Sequence, residues 1–95
     1  MQRETILHIL SAHLQEMSTR YDFSRLGVFG SVARDQATET SDIDVVVEMP
    51  PDLFKLVGLK QELEELLDRP VDIVRYRENM NRFLKERIDK EAIYV

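Results

Sequence analysis

The sequence predicts an α/β fold, a small mixed sheet flanked by helices, and three observations carry that expectation. Apolar residues recur at helical spacing near the start, in Ile6, Leu7, Ile9, Leu10, Leu14 and Met17. Three short apolar runs suit buried strands: Leu26-Gly27-Val28-Phe29, Ile43 to Val47 and Val71 to Val74. Further helical stripes follow the second and third runs, so helices and strands alternate along the chain.

The elements follow in order. A first helix is predicted from Arg3 to Met17, and the polar stretch Ser18 to Arg25 connects it to the first strand. Gly30 bounds that strand, Ser31 to Asp35 suits a short helix, and Gln36 to Ser41 is a polar loop. The β-branched run Ile43 to Val47 is the second strand, stopped by Met49-Pro50-Pro51. Asp52 is placed to cap a long helix with the stripe Leu53, Leu56, Val57, Leu63, Leu66 and Leu67. Asp68-Arg69-Pro70 ends it before the third strand. Asn79 is a candidate cap for a final helix carrying Met80, Phe83, Leu84, Arg87 and Ile88, and the apolar tail Ala92 to Val95 should dock onto the body.

Bulk composition narrows the function. Ninety-five residues read as a single domain, 1–95, with one modest core and no deep, walled-off pocket. A net charge of −5 argues against direct nucleic-acid binding, which runs on Lys and Arg neutralising phosphates. It suits a basic protein partner, or an acidic metal site whose charge the ion offsets. Without cysteine there is no disulfide and no thiolate zinc site. No signal-like apolar core and no membrane-length run is present, so a cytoplasmic location without a membrane partner is expected.

The chemistry concentrates around Gly30-Ser31 and Ser41-Asp42-Ile43-Asp44. Asp42 and Asp44 are one residue apart at a strand start, so they point to one face while Ile43 points to the other. Mg²⁺ takes one or two carboxylates plus substrate phosphates, which these two can supply. Asp72, a charge inside an apolar strand, is the candidate third carboxylate, as metal ligand or general base; the alternative is a strand-end cap or a pair with Arg75 or Arg69. Gly30 and Ser31 offer backbone approach, N–H groups and a hydroxyl to a phosphate. Arg34, one helical turn on, either reaches that phosphate or pairs with Asp35 or Glu39. No Gly-Lys-Ser/Thr follows, which excludes a Walker loop.

Other polar residues read as structural. His8 and His13 suit surface or packed positions on the first helix, and Glu62, Glu64, Glu65 and Asp68 suit a solvated helix face. Lys85, Arg87 and Lys90 alternate with Glu86, Asp89 and Glu91 as on an exposed helix. Tyr76 and Tyr94 suit packing better than contact with a base or a partner.

Gly30-Ser31-x-Ala33-Arg34 followed by Ser41-Asp42-x-Asp44 resembles the minimal nucleotidyltransferases, small members of the DNA polymerase β superfamily. The resemblance runs from Leu26 to about Val74, and the flanking helices fit it. It implies a polymerase β-like nucleotidyltransferase core, ATP as co-substrate, Mg²⁺ at the carboxylates, and a third carboxylate on a later strand, where Asp72 stands. It further implies an antitoxin in a hetero-oligomer with a HEPN ribonuclease toxin, transferring AMP to a toxin tyrosine. One residue departs from the pattern: Asp35 stands where the family has Gly. The rival reading is a non-catalytic binding module that blocks the toxin sterically. Asp35 favours it slightly, and the intact Asp42, Asp44 and Asp72 argue against it. A stand-alone enzyme with a small-molecule acceptor is disfavoured by length.

Overall fold

A computed structural model describes residues 2–95. The chain forms α1 (Arg3–Tyr21), β1 (Arg25–Phe29), α2 (Gly30–Ala33), β2 (Ile43–Glu48), α3 (Leu53–Leu67), β3 (Val71–Arg75), α4 (Arg82–Glu91) and β4 (Ile93–Tyr94). Helix α1 runs one turn beyond the predicted Met17, because its polar last turn finds partners. The Ser18 hydroxyl donates to the Phe23 carbonyl and the Tyr21 hydroxyl to Glu62 of α3. Asp22, at φ 59°, then closes the helix with its N–H on Ser18 O.

The sheet has the order β3-β2-β1-β4. Strand β2 runs antiparallel to β1 and parallel to β3, so the sheet is mixed, as expected. The fourth strand is the predicted docking of the tail: Ile93–Tyr94 pairs with β1, and Val95 N–H bonds Leu26 O. Gly27 permits this, since a Cβ there would lie 2.7 Å from Ile93 O and 2.9 Å from Tyr94 Cδ1.

Alternation along the strands divides the core in two. Leu26, Val28, Ile43, Val45 and Val47 face α1 and α3, against Ile6, Leu10, Met17, Leu59, Leu63 and Leu67. Phe29 and Val46 face the other way, against Met80 and Ile88. Each fully buried branched side chain contributes about 1.5–3 kcal/mol, so the larger cluster sets strand register most firmly.

Two helices differ in detail from the prediction. In α3 the buried stripe is Leu59, Leu63 and Leu67, whereas Leu53 and Val57 are exposed. At about 100° per residue, Val57 lies roughly 120° from the centre of that stripe. Asp52 does cap α3, accepting from Lys55 N–H. The cap of α4 is Asn81, not Asn79: its side chain accepts from Leu84 N–H. Met80 is buried just before that helix, and Phe83 is exposed. Among the described residues, no helix is long and apolar enough to cross a membrane.

Candidate active site

The site lies where β1 ends and β2 and β3 begin. The chain leaves β1 at Phe29 and turns at Gly30, whose φ is +70°. A Cβ on Gly30 would sit 2.1 Å from Asp44 Oδ2. The glycine therefore makes room for the Asp44 carboxylate rather than for the phosphate expected there. Helix α2 is a single turn, held by the Arg3 guanidinium on the Ala33 carbonyl. Ser31, its second residue, is half-buried.

Asp35 leaves this turn at φ 58°. That is the left-handed conformation a glycine adopts freely, and Asp is one of the few other residues that tolerate it. The departure from the family pattern thus preserves the backbone path. The negative charge that Asp35 adds near the turn remains.

Asp44 and Asp72 are register partners across the parallel β2–β3 pair. Adjacent strands lie about 4.8 Å apart, so both carboxylates share one face, the face of Phe29 and α4. Asp42 precedes them on the same side, with Ile43 buried between. Loop and strand are fixed locally: Arg69 donates to the Thr38 and Ser41 carbonyls, and Glu64 accepts from Val71 N–H. Arg69 is therefore occupied elsewhere, and Arg75 donates to Met49 O, so neither is the expected alternative partner of Asp72. Glu64 and Glu62, read from sequence as solvated, both serve tertiary contacts.

None of the ion pairs among the described residues uses Asp42, Asp44 or Asp72. Burial first, then the charge of Asp72, push the Asp44 pKa up, and Asp42 adds to this; Arg87 and Arg34 oppose it. Like charges gathered with no ion-pair partner form a donor set that fits a hard divalent ion. Among the described residues no three acidic or histidine side chains are drawn tightly enough to hold a metal by themselves. An ion here would complete its shell with waters and substrate oxygens, as Mg²⁺ commonly does.

Arg34 pairs with neither Asp35 nor Glu39. Its Nη1 lies 2.9 Å from Glu91 Oε2, and its Nε donates to Gln36 at 3.1 Å. Glu91 also accepts from Gly30 N–H at 3.1 Å, and Arg87 Nε lies 3.5 Å from the same carboxylate. Arg87 stands over the Phe29 ring, 5.9 Å from its centroid, and beside Asp44. Sequence reasoning placed Arg87 and Glu91 on a solvated face and missed both. The i,i+4 spacing does look like a surface pair; the one hint was that Glu91 abuts the apolar tail. His8 is exposed and His13 half-buried, both on α1. Tyr76 and Tyr94 pack against the smaller cluster, and the Tyr76 hydroxyl donates to Asp89.

A nucleotidyltransferase domain model matches residues 10–95. The chain belongs to that family. It is 36% identical over 94 residues to protein adenylyltransferase MntA of Thermococcus cleftensis, covering 97% of this chain and 94% of that one. A solved structure assigned as a minimal nucleotidyltransferase superposes with a TM-score of 0.81 at 38% identity, over 98% of this chain and 95% of that one. The minimal-nucleotidyltransferase resemblance is borne out, and the chain is an enzyme of nucleotidyl transfer. One chain of the solved complex of a tri-AMPylated Shewanella oneidensis HEPN toxin with an MNT antitoxin shares the fold, with a TM-score of 0.63 at 21% identity, over 87% of this chain and 66% of that one.

Proposed function

We propose that residues 1–95 act as a single antitoxin domain that transfers AMP from ATP to a tyrosine hydroxyl of a HEPN-family toxin. The observation that carries this reading is the Asp44–Asp72 pair beside the Gly30-Ser31 turn, with Asp42 adjacent. Carboxylates free of ion pairs, beside a turn that offers a hydroxyl and N–H groups to a phosphate, suit nucleotidyl transfer. The relative named protein adenylyltransferase supports AMP as the group and protein as the acceptor. The shared fold with an antitoxin bound to an AMPylated HEPN toxin supports the partner.

Mg²⁺ would be held by Asp42, Asp44 and Asp72, and would supply charge neutralisation and a polarised phosphoryl oxygen. The chain's own groups do the rest. Ser31 and the adjoining backbone bind the triphosphate, and Arg34 adds a cation. Asp72, exposed at the edge, accepts the proton of the incoming tyrosine hydroxyl. The tyrosine oxygen then bonds to the α-phosphorus, the bond to the β-phosphate bridge breaks, and pyrophosphate leaves. A domain of this size walls off little of the acceptor site, so the partner presents the hydroxyl.

The test uses ATP labelled at either phosphorus. With α-labelled ATP and Mg²⁺, label should move to the co-purified toxin; with γ-labelled ATP it should not. Transfer of the γ label, or of neither, would reject the proposal.

A further inference from the structure

We propose that Glu91 is an internal occupant of the polyphosphate site, holding Arg34, Arg87 and the Gly30 amide until an incoming triphosphate takes these donors from it. The inference rests on the nucleotidyltransferase reading and deepens it by naming what the substrate must displace. Three donors converge on one carboxylate, two from the α2 turn, Gly30 N–H at 3.1 Å and Arg34 Nη1 at 2.9 Å, and one from α4 itself, Arg87 Nε at 3.5 Å. That carboxylate is largely buried, its side chain 18% exposed, whereas Arg34 and Arg87 are 43% and 52% exposed. A guanidinium binds carboxylate and phosphate oxygens with the same geometry, so one can replace the other.

The position is also fixed. Glu91 ends α4, Ala92 N–H bonds Ile88 O, and the next two residues are locked into the sheet as β4. The carboxylate therefore cannot drift away with a loose terminus. Around it stand Asp42, Asp44, Asp72 and Glu91 against Arg34 and Arg87. These carboxylates outnumber the two arginines, and Glu91 adds one further negative charge while it holds both guanidiniums. Glu91 therefore lowers polyphosphate affinity by competing for these donors, and a divalent ion held at the aspartates would offset part of the remaining repulsion.

The experiment titrates inorganic tripolyphosphate with Mg²⁺ calorimetrically into wild type, E91Q, R34M and R34M/E91Q. Glutamine keeps an acceptor for Gly30 N–H and removes the charge. Partly exposed ion pairs contribute modestly, so E91Q should bind about five- to tenfold more tightly than wild type. In the R34M background the gain should shrink to about twofold, because one of the freed donors is gone. Equal or weaker binding by E91Q would overturn the inference, since a scaffold or a positioning residue gives those results. If circular dichroism finds E91Q unfolded, E91D serves instead. It shortens the reach by one methylene and should tighten binding about two- to threefold; no gain there also overturns the proposal. Tripolyphosphate carries no adenylyl group. Failure of label transfer with the E91Q gain intact would therefore remove the adenylylation reading alone.

Discussion

Replacing Gly30 by Ala probes the joint between turn and carboxylate. The added Cβ would lie 2.1 Å from Asp44 Oδ2, where ordinary contact begins at 3.4 Å. The carboxylate must retreat by about 1 Å or more, and the alanine must hold φ +70°. The left-handed conformation costs an L-residue roughly 1–2 kcal/mol. For a domain of this size each kcal/mol lowers Tm by about 4–8 °C. The carboxylate is the flexible end of a half-buried side chain, so its displacement adds little to stability but much to chemistry. A misplacement of about 1 Å in a reacting constellation costs on the order of 100-fold in rate. Gly30→Ala should therefore lose about 100-fold in AMP transfer while remaining folded. The cycle with Asp44→Ala separates the two effects. Removing the carboxylate leaves only the backbone strain, so Gly30→Ala should cost no more stability there than in wild type. Wild-type transfer by Gly30→Ala would refute the geometry on which the site is built.

Other variants report on neighbouring parts. Ser31→Ala should weaken ATP binding by roughly three- to tenfold, the range of a lost hydrogen bond, and leave toxin binding unchanged by calorimetry. Asp72→Asn should abolish most transfer while leaving metal-free Tm level or slightly raised, because the carboxylate is exposed, forms no ion pair and repels Asp44; a transfer rate close to wild type would remove its proposed role. Asp44→Asn should raise metal-free stability at neutral pH. A carboxyl whose folded pKa is raised carries no penalty below its ordinary value of 3.8, and its penalty grows as pH rises through the folded pKa. The stabilisation in urea unfolding should thus vanish near pH 3.5 and be full at pH 7; a gain at low pH only would contradict it. Glu91 behaves oppositely. Burial alone would raise its pKa, but Arg34, the Gly30 N–H and Arg87 outweigh burial and lower it. Its stabilising contribution is present above the ordinary carboxylate range and is lost as pH falls through the folded value.

Legibility followed the range of the interaction. Strands β1, β2 and β3 were readable because each is a short β-branched or apolar run bounded by Gly or Pro. Asp42 and Asp44 were readable because period-two geometry puts them on one face whatever the partner strand. The register that sets Asp72 opposite Asp44 was not, since it depends on the parallel pairing of β2 with β3. Strand β4 escaped for a similar reason: two residues carry no period, and only pairing with β1 makes Ile93–Tyr94 a strand. Helix ends shifted where a side chain found a distant partner, as Tyr21 did in Glu62. Glu91 and Arg87 were invisible because a helical i,i+4 pair reads as solvated until the fold carries Gly30 and Arg34 to it. The backbone at Asp35 was not legible either, since residue type does not give φ; the left-handed conformation there is one that Asp shares with Gly.

Covalent transfer of AMP to a partner is decided by intact-mass spectrometry of that partner. The wild-type protein is incubated with its toxin, ATP and Mg²⁺; the two are then separated, and the toxin is weighed and assayed for ribonuclease activity. The account predicts the added mass of one or more adenylyl groups and inactivation that outlasts separation, because dilution cannot reverse a covalent bond. The Asp42→Ala/Asp44→Ala variant should still bind, since an interface extends well beyond two carboxylates, yet leave the toxin's mass unchanged. A toxin of unchanged mass that regains full activity after separation from the wild-type protein would contradict the account and leave steric blocking in its place.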